Sequence, residues 1–181
     1  LTDERHSVLR RAYESGLAVI TPHPAAHARW ADKRLLAWLG DDELLQRAGL
    51  DVDDRSHLRQ TIPATEVVEP AAADDLWQRR KSLFFKPVDG FGSKAAYRGD
   101  KLTRTTFEHI LAHRYVAQTL APTSFRRIQS ADGAEADLRV DVRNYAMHGA
   151  TWLRAARLYR GQTTNFRTVG GGFAPVLTLP A

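Results

Sequence analysis

Residues 82–99 read SLFFKPVDGFGSKAAYRG, so one lysine, Lys86, ends an apolar run and a glycine loop follows at once. The loop is Gly90-Phe91-Gly92-Ser93, with Lys94 and Arg98 after it. Glycines let backbone N–H groups approach ligand oxygens closely, and fixed cations neutralise those oxygens. A lysine rooted on a strand acts as a point charge for phosphate. The order therefore suits a polyphosphate. The competing reading is a strand-edge lysine beside an ordinary hairpin turn.

Other segments could join this one. Ala31-Asp32-Lys33 sets a second lysine at a helix start, and Ile62-Pro63-Ala64-Thr65 leads into a short strand. Tyr115-Val116-Ala117-Gln118-Thr119-Leu120 reads as a buried strand. DLRVDVR (137–143) is followed by Arg154, Arg157, Asn165 and Gly170-Gly171-Gly172. Arginines on one strand face present bidentate donors for a carboxylate or phosphate. Asp137, Arg139, Asp141 and Arg143 also fit a salt-bridged exposed face, and the three glycines also fit a connector. His109 and His113 have an i, i+4 spacing that can bind zinc, but no HExxH accompanies them. They, His23 and His27 are read as non-ligands.

The pattern of apolar residues predicts the elements that carry these groups. Helices are expected over 4–15 (Val8, Leu9, Ala12 and Tyr13 inward, Gly16 ending it), 27–39, 42–48, 72–80 and 103–113. Leu17–Thr21 reads as a short buried strand, and 50–61 as a polar loop. Strands are expected at 65–69, 83–86 and 115–120, and a strand end with a turn near Asp132-Gly133 over 124–134. Residues 137–147 alternate Leu138, Val140 and Val142 inward against charged neighbours, and pair with 151–160 through a turn at His148-Gly149. Trp30, Trp77 and Trp152 are expected in the core. Helices mixed with adjacent antiparallel strands predict an α+β fold.

At 181 residues the chain fits one domain or two small ones. It has no cysteine, which excludes disulfides and thiolate metal sites. No apolar run approaches the length of a membrane span, and no secretory signal is visible, so a cytoplasmic location is the default expectation. The formal net charge is +5, with cations and acids spread along the chain. That spread favours a mixed charged surface with a few anion-binding cations over a nucleic-acid partner.

Taken in order, these segments resemble the ATP-grasp superfamily: a DK helix start, an IPAT-like strand, a lysine strand, a glycine loop, a hinge strand, a D-x-R strand, and an asparagine before glycines. The stretch GATWLRAARLYRGQTTNFRTVGGGFAPV is most similar to its circularly permuted branch. The resemblance spans roughly residues 17–179. It implies two α+β lobes with antiparallel sheets enclosing a nucleotide cleft. The division it suggests is 1–81 with the DK helix, 82–121 as the small lobe with glycine loop and hinge, and 122–181 as a C-terminal antiparallel-sheet lobe. It also implies that Lys33 and Lys86 contact the phosphates and that Gly90, Phe91, Gly92, Ser93 and Lys94 form the covering loop. Gln118, Thr119 and Leu120 would be the adenine hinge, and Arg139, Arg154 and Asn165 would line the phosphate and acceptor side.

The reaction implied is ATP-dependent ligation: a carboxylate is phosphorylated, and an amine (sometimes a thiol) attacks the acyl phosphate. ATP, Mg²⁺ and an unidentified carboxylate and amine are the implied partners, with oligomeric state left open. One departure stands out. The family holds Mg²⁺ with acids plus an asparagine, often as Glu-x-Asn, and no Glu-x-Asn occurs here. Asp141 and Asn165, with Asp137 nearby, are the candidates that remain, and a permuted arrangement leaves room for the missing acids upstream of Leu1. The alternative expectation is a degenerate ATP-grasp domain that binds a nucleotide or a partner without catalysis.

Overall fold

The computed structural model describes residues 3–129, 133–161, 164, 165 and 168–177. The expected turn residue Asp132, and the end of the C-terminal apolar run at Leu179, lie outside them. The architecture is α+β, with two four-stranded antiparallel sheets in two compact units, Leu1–Thr119 and Leu120–Ala181.

The first unit holds α1 (Ser7–Glu14), α2 (Pro24–Trp30), α3 (Leu35–Trp38), α4 (Asp42–Arg47), α5 (Val52–Thr61), α6 (Ala73–Arg79) and α7 (Arg104–Leu111). Its strands are β1 (Thr65–Val67), β2 (Leu83–Pro87), β3 (Tyr97–Arg98) and β4 (Tyr115–Thr119), in the order β1-β4-β2-β3. β1 therefore joins the segment 1–81 to the same sheet as 82–121. Period-two alternation splits this sheet into two faces. Leu83, Phe85, Tyr115 and Ala117 point to one side and pack on Leu76 of α6 and on Phe107 and Ile110 of α7. Thr103 caps α7, accepting from the Thr106 amide at 3.2 Å. The other face carries Phe84, Lys86, Val116 and Gln118, with Thr65 opposite Gln118. Four of the five residues of β4 are buried because it is a central strand covered on both faces.

Several expectations about elements are corrected. Leu17–Thr21 is not a strand: the Leu17 and Ala18 amides donate back to the Ala12 carbonyl, and Leu17 and Val19 lie in water. α1 forms, but Val8 and Leu9 are exposed. The expected helix 27–39 is two helices. Between them, the Asp32 carboxylate accepts from the Arg34 amide at 2.8 Å and grips its guanidinium at 2.6 Å. Such local side-chain bonding competes with the helix ladder. Residues 52–61 form α5 rather than a loop, with Asp51 accepting from the Asp54 amide at 2.8 Å. Trp30 and Trp152 are exposed, and Trp77 is half-buried.

The second unit, in its described residues, is the meander β5 (Ser124–Gln129), β6 (Glu135–Met147), β7 (Ala150–Tyr159) and β8 (Gly172–Pro175). The β6–β7 hairpin forms where expected. Its turn uses left-handed His148 (φ 52°) and Gly149 (φ 76°), the pair of positive angles that matches strand twist. Leu138 is fully buried, but Val142 is exposed because β5 ends opposite Val140.

Candidate functional site

Lys86 is the fourth residue of β2, on the face turned away from the aromatic core. Its Nζ donates to Gln118 Oε1 at 2.5 Å, and Gln118 Nε2 donates to Thr65 Oγ1 at 2.8 Å. Thr65 Oγ1 in turn donates to the Pro63 carbonyl at 2.8 Å. Three adjacent strands therefore aim one ammonium group. The Lys86 Nζ also lies 5.6 Å from the centroid of the Phe84 ring, two residues earlier on the same face.

Lys33 reaches the same neighbourhood from a distant part of the sequence. Its amide donates to the Val88 carbonyl at 3.0 Å, and its Nζ donates to the Gly90 carbonyl at 3.1 Å. Burial, and then the positive charge of Lys33, hold the Lys86 ammonium below the ordinary lysine range. Among the described residues neither lysine is ion-paired with a carboxylate. Two like charges kept together without a carboxylate favour an anionic ligand.

The loop between β2 and β3 is built from left-handed residues. Gly90, Gly92, Ser93 and Ala95 have φ of 102°, 66°, 58° and 52°. Serine and alanine are strained there, since only glycine takes this region freely. The loop is tied down at its far end, where Tyr115 Oη donates to the Ala95 carbonyl at 3.0 Å. Its tip is open: Phe91 is 83% exposed, and the Lys94 Nζ sits 5.8 Å from its ring centroid. The Lys33 side chain thus meets the loop at Gly90, and its charge acts on Lys86.

The hinge residues are placed differently. Gln118 is buried and uses its side chain to hold Lys86. The Thr119 amide already donates to the Ala64 carbonyl at 2.8 Å. Leu120 begins the second unit. The contributions of the Gln118 and Thr65 side chains were not legible in the sequence, because only strand register reveals that they face Lys86.

In the second unit, Arg139, Asp141 and Arg157 share one sheet face, with Asp141 directly opposite Arg157. Arg139 lies 5.0 Å from the ring centroid of its cross-strand neighbour Phe125. Arg154 pairs with Asn144 and so lies on the opposite face from Arg139. Asp141 accepts from Arg157 Nε at 2.5 Å and from Thr164 Oγ1 at 2.9 Å. Asn165 braces its own loop: Nδ2 donates to the Arg160 carbonyl at 2.6 Å, and Oδ1 accepts from Thr168 at 3.0 Å. Asp137 sits 3.3 Å from Arg127. Among the described residues no three His, Asp or Glu side chains gather as a metal site. Asp141 and Asn165 are committed to hydrogen bonds, so these described residues do not fit Mg²⁺.

A depression of about 410 Å³ lies in the first unit, lined by Pro87, Asp89, His109, His113, Arg114 and Tyr115 among others. His109 and His113 lie with ring centroids 4.0 Å apart and planes tilted by 33°, and His113 Nδ1 donates to the His109 carbonyl at 2.8 Å. No family model and no curated protein sequence matches this chain.

Proposed function

We propose that this chain binds ATP through its first unit and serves as an ATP-dependent carboxylate–amine ligase of the ATP-grasp type, or as its nucleotide-binding part. One observation carries the reading: Lys33 contacts the strained glycine loop and its charge acts on Lys86, and among the described residues neither lysine is paired with a carboxylate. The phosphates would take the place of that missing counter-charge. Phosphoryl transfer depends mainly on positioning and charge neutralisation, and two strand- and loop-anchored ammonium groups supply both. In this reading the exposed Phe91 tip covers the bound phosphate chain.

Calorimetric titration of the intact chain with ATP and Mg²⁺ tests this. Binding at millimolar nucleotide or better is expected, and its absence sinks the reading. Lys86→Ala should weaken binding by about 1.5–3 kcal/mol, the range for losing a charge-assisted contact. Unchanged affinity removes Lys86 from the site.

A second reading, nucleotide binding without turnover, is favoured by the engaged state of Asp141 and Asn165. Release of ADP on adding a carboxylate and an amine rejects it.

A further inference from the structure

The β6–β7 hairpin extends past the strands that flank it. Among the described residues, β5 pairs only as far as Val140, and β8 only with Ala155–Leu158, plus one bond from the Val176 amide to the Arg154 carbonyl. Among the described residues, 142–147 and 150–153 therefore form a two-stranded ribbon. Such a ribbon is marginal in water unless something covers it. Yet it exposes Val142, Met147, Trp152 and Leu153, all at least half accessible, along with Tyr145. The pairing shifts between Tyr145 and Ala146, opposite Leu153 and Thr151, which leaves Trp152 as the extra residue of a bulge. Bulges re-aim side chains, and this one presents an indole that is 71% exposed.

From the start of the ribbon to residue 181 the charged side chains have one sign. From Val142 to Ala181 the sequence contains five arginines and no aspartate or glutamate. Arg143 and Arg154 form no ion pair among the described residues, and the Arg143 guanidinium lies 5.8 Å from the Tyr145 ring centroid. A second copy of the same ribbon would meet it with like charge. A polyanion with flat apolar faces complements it in both respects. Bases stack on aromatic side chains while arginines neutralise the backbone.

We infer that the ribbon is a binding arm for single-stranded nucleic acid that wraps it, with Tyr145 and Trp152 stacking bases, Arg143 contacting phosphates on the Tyr145 face and Arg154 contacting them on the opposite face. The spread of charge read from the whole sequence breaks down here, since no acid follows Asp141. The inference is independent of the ATP site.

Fluorescence anisotropy of a labelled oligo(dT) with the full chain tests it. Binding should weaken steeply with salt, about 0.7 log units per phosphate contact for each tenfold rise in salt. Arg143→Glu with Arg154→Glu should lose at least tenfold in affinity, and Arg143→Lys with Arg154→Lys should retain most of it. Trp152→Ala should lose about tenfold, and Trp152→Phe should keep stacking. If the charge-reversed chain fails to fold, judged by circular dichroism, Trp152→Ala decides. Lys86→Ala and excess ATP should both leave oligonucleotide binding intact. Full displacement by ATP, tighter binding to duplex, binding to phosphatidylserine vesicles but not to oligo(dT), or no loss in Trp152→Ala overturns the inference.

Discussion

Lys86 is driven toward its neutral form by burial and by the charge of Lys33. Below its lowered folded pKa, the lysine is charged in both states and folding bears the full penalty of holding that charge. Between that value and the ordinary lysine range the unfolded chain binds more protons, so this group's contribution to stability rises with pH. ATP affinity should move the opposite way, falling over that window as Lys86 loses its proton. Titration calorimetry across the alkaline range checks this. Lys86→Arg, which stays charged, should hold its affinity to higher pH. A flat profile for the unsubstituted chain removes Lys86 from phosphate binding. Gly99 matters for a different reason. A Cβ there would lie 1.8 Å from the Arg80 carbonyl oxygen and 2.9 Å from that of Leu83. Backbone cannot give way cheaply, so Gly99→Ala should destabilise the first unit by about 3 kcal/mol in denaturant unfolding. The lysines and glycines of 82–99 were legible as chemistry because their types are rare together. Gly99 was not, because its neighbour comes from the turn before β2.

Elements with a buried face were the ones the sequence foretold. β2, β4, α6 and α7 place Phe85, Val116, Leu76 and Ile110 in the core, so their apolar periods match their structure. α5 has no buried residue, so its pattern carries no helical period. What makes it a helix is its ends: the Asp51 cap, Asp53 and Asp54 in the first turn, and Arg59 in the last. Asp51→Ala should therefore cost about 1 kcal/mol, read as earlier loss of helical signal on heating. No change would mean that the cap does not hold α5. Leu17–Thr21 misled in the reverse sense. It is apolar, but its amides at Leu17 and Ala18 finish α1 instead of joining a sheet. The β6–β7 hairpin was legible from its alternation and its His148-Gly149 turn, while the failure of Val142 to be buried depends on where β5 stops.

Across the molecule, the two units divide the candidate groups. Lys33, Lys86 and the glycine loop belong to the first, and Arg139, Asp141, Arg154 and Asn165 to the second. Asp141 is where the resemblance and the geometry make opposed predictions. As a metal ligand, its carboxylate would be needed for Mg²⁺-dependent nucleotide binding and would contribute little to stability. In the structure it is half-buried between Arg157 and Thr164, accepting from both. Asp141→Asn keeps the shape but removes the charge that Arg157 faces. That should lower the stability of the second unit by about 1–3 kcal/mol, since a hydrogen bond to a charged group is lost and the guanidinium keeps no counter-charge. Arg157 should then behave as the coupled partner: the Asp141→Asn/Arg157→Leu pair should destabilise by less than the sum of the single changes. ATP affinity in the presence of Mg²⁺ should stay within twofold of the unsubstituted chain in both variants. Loss of Mg²⁺-dependent ATP binding with stability intact would return Asp141 to the metal and overturn its reading as a structural brace.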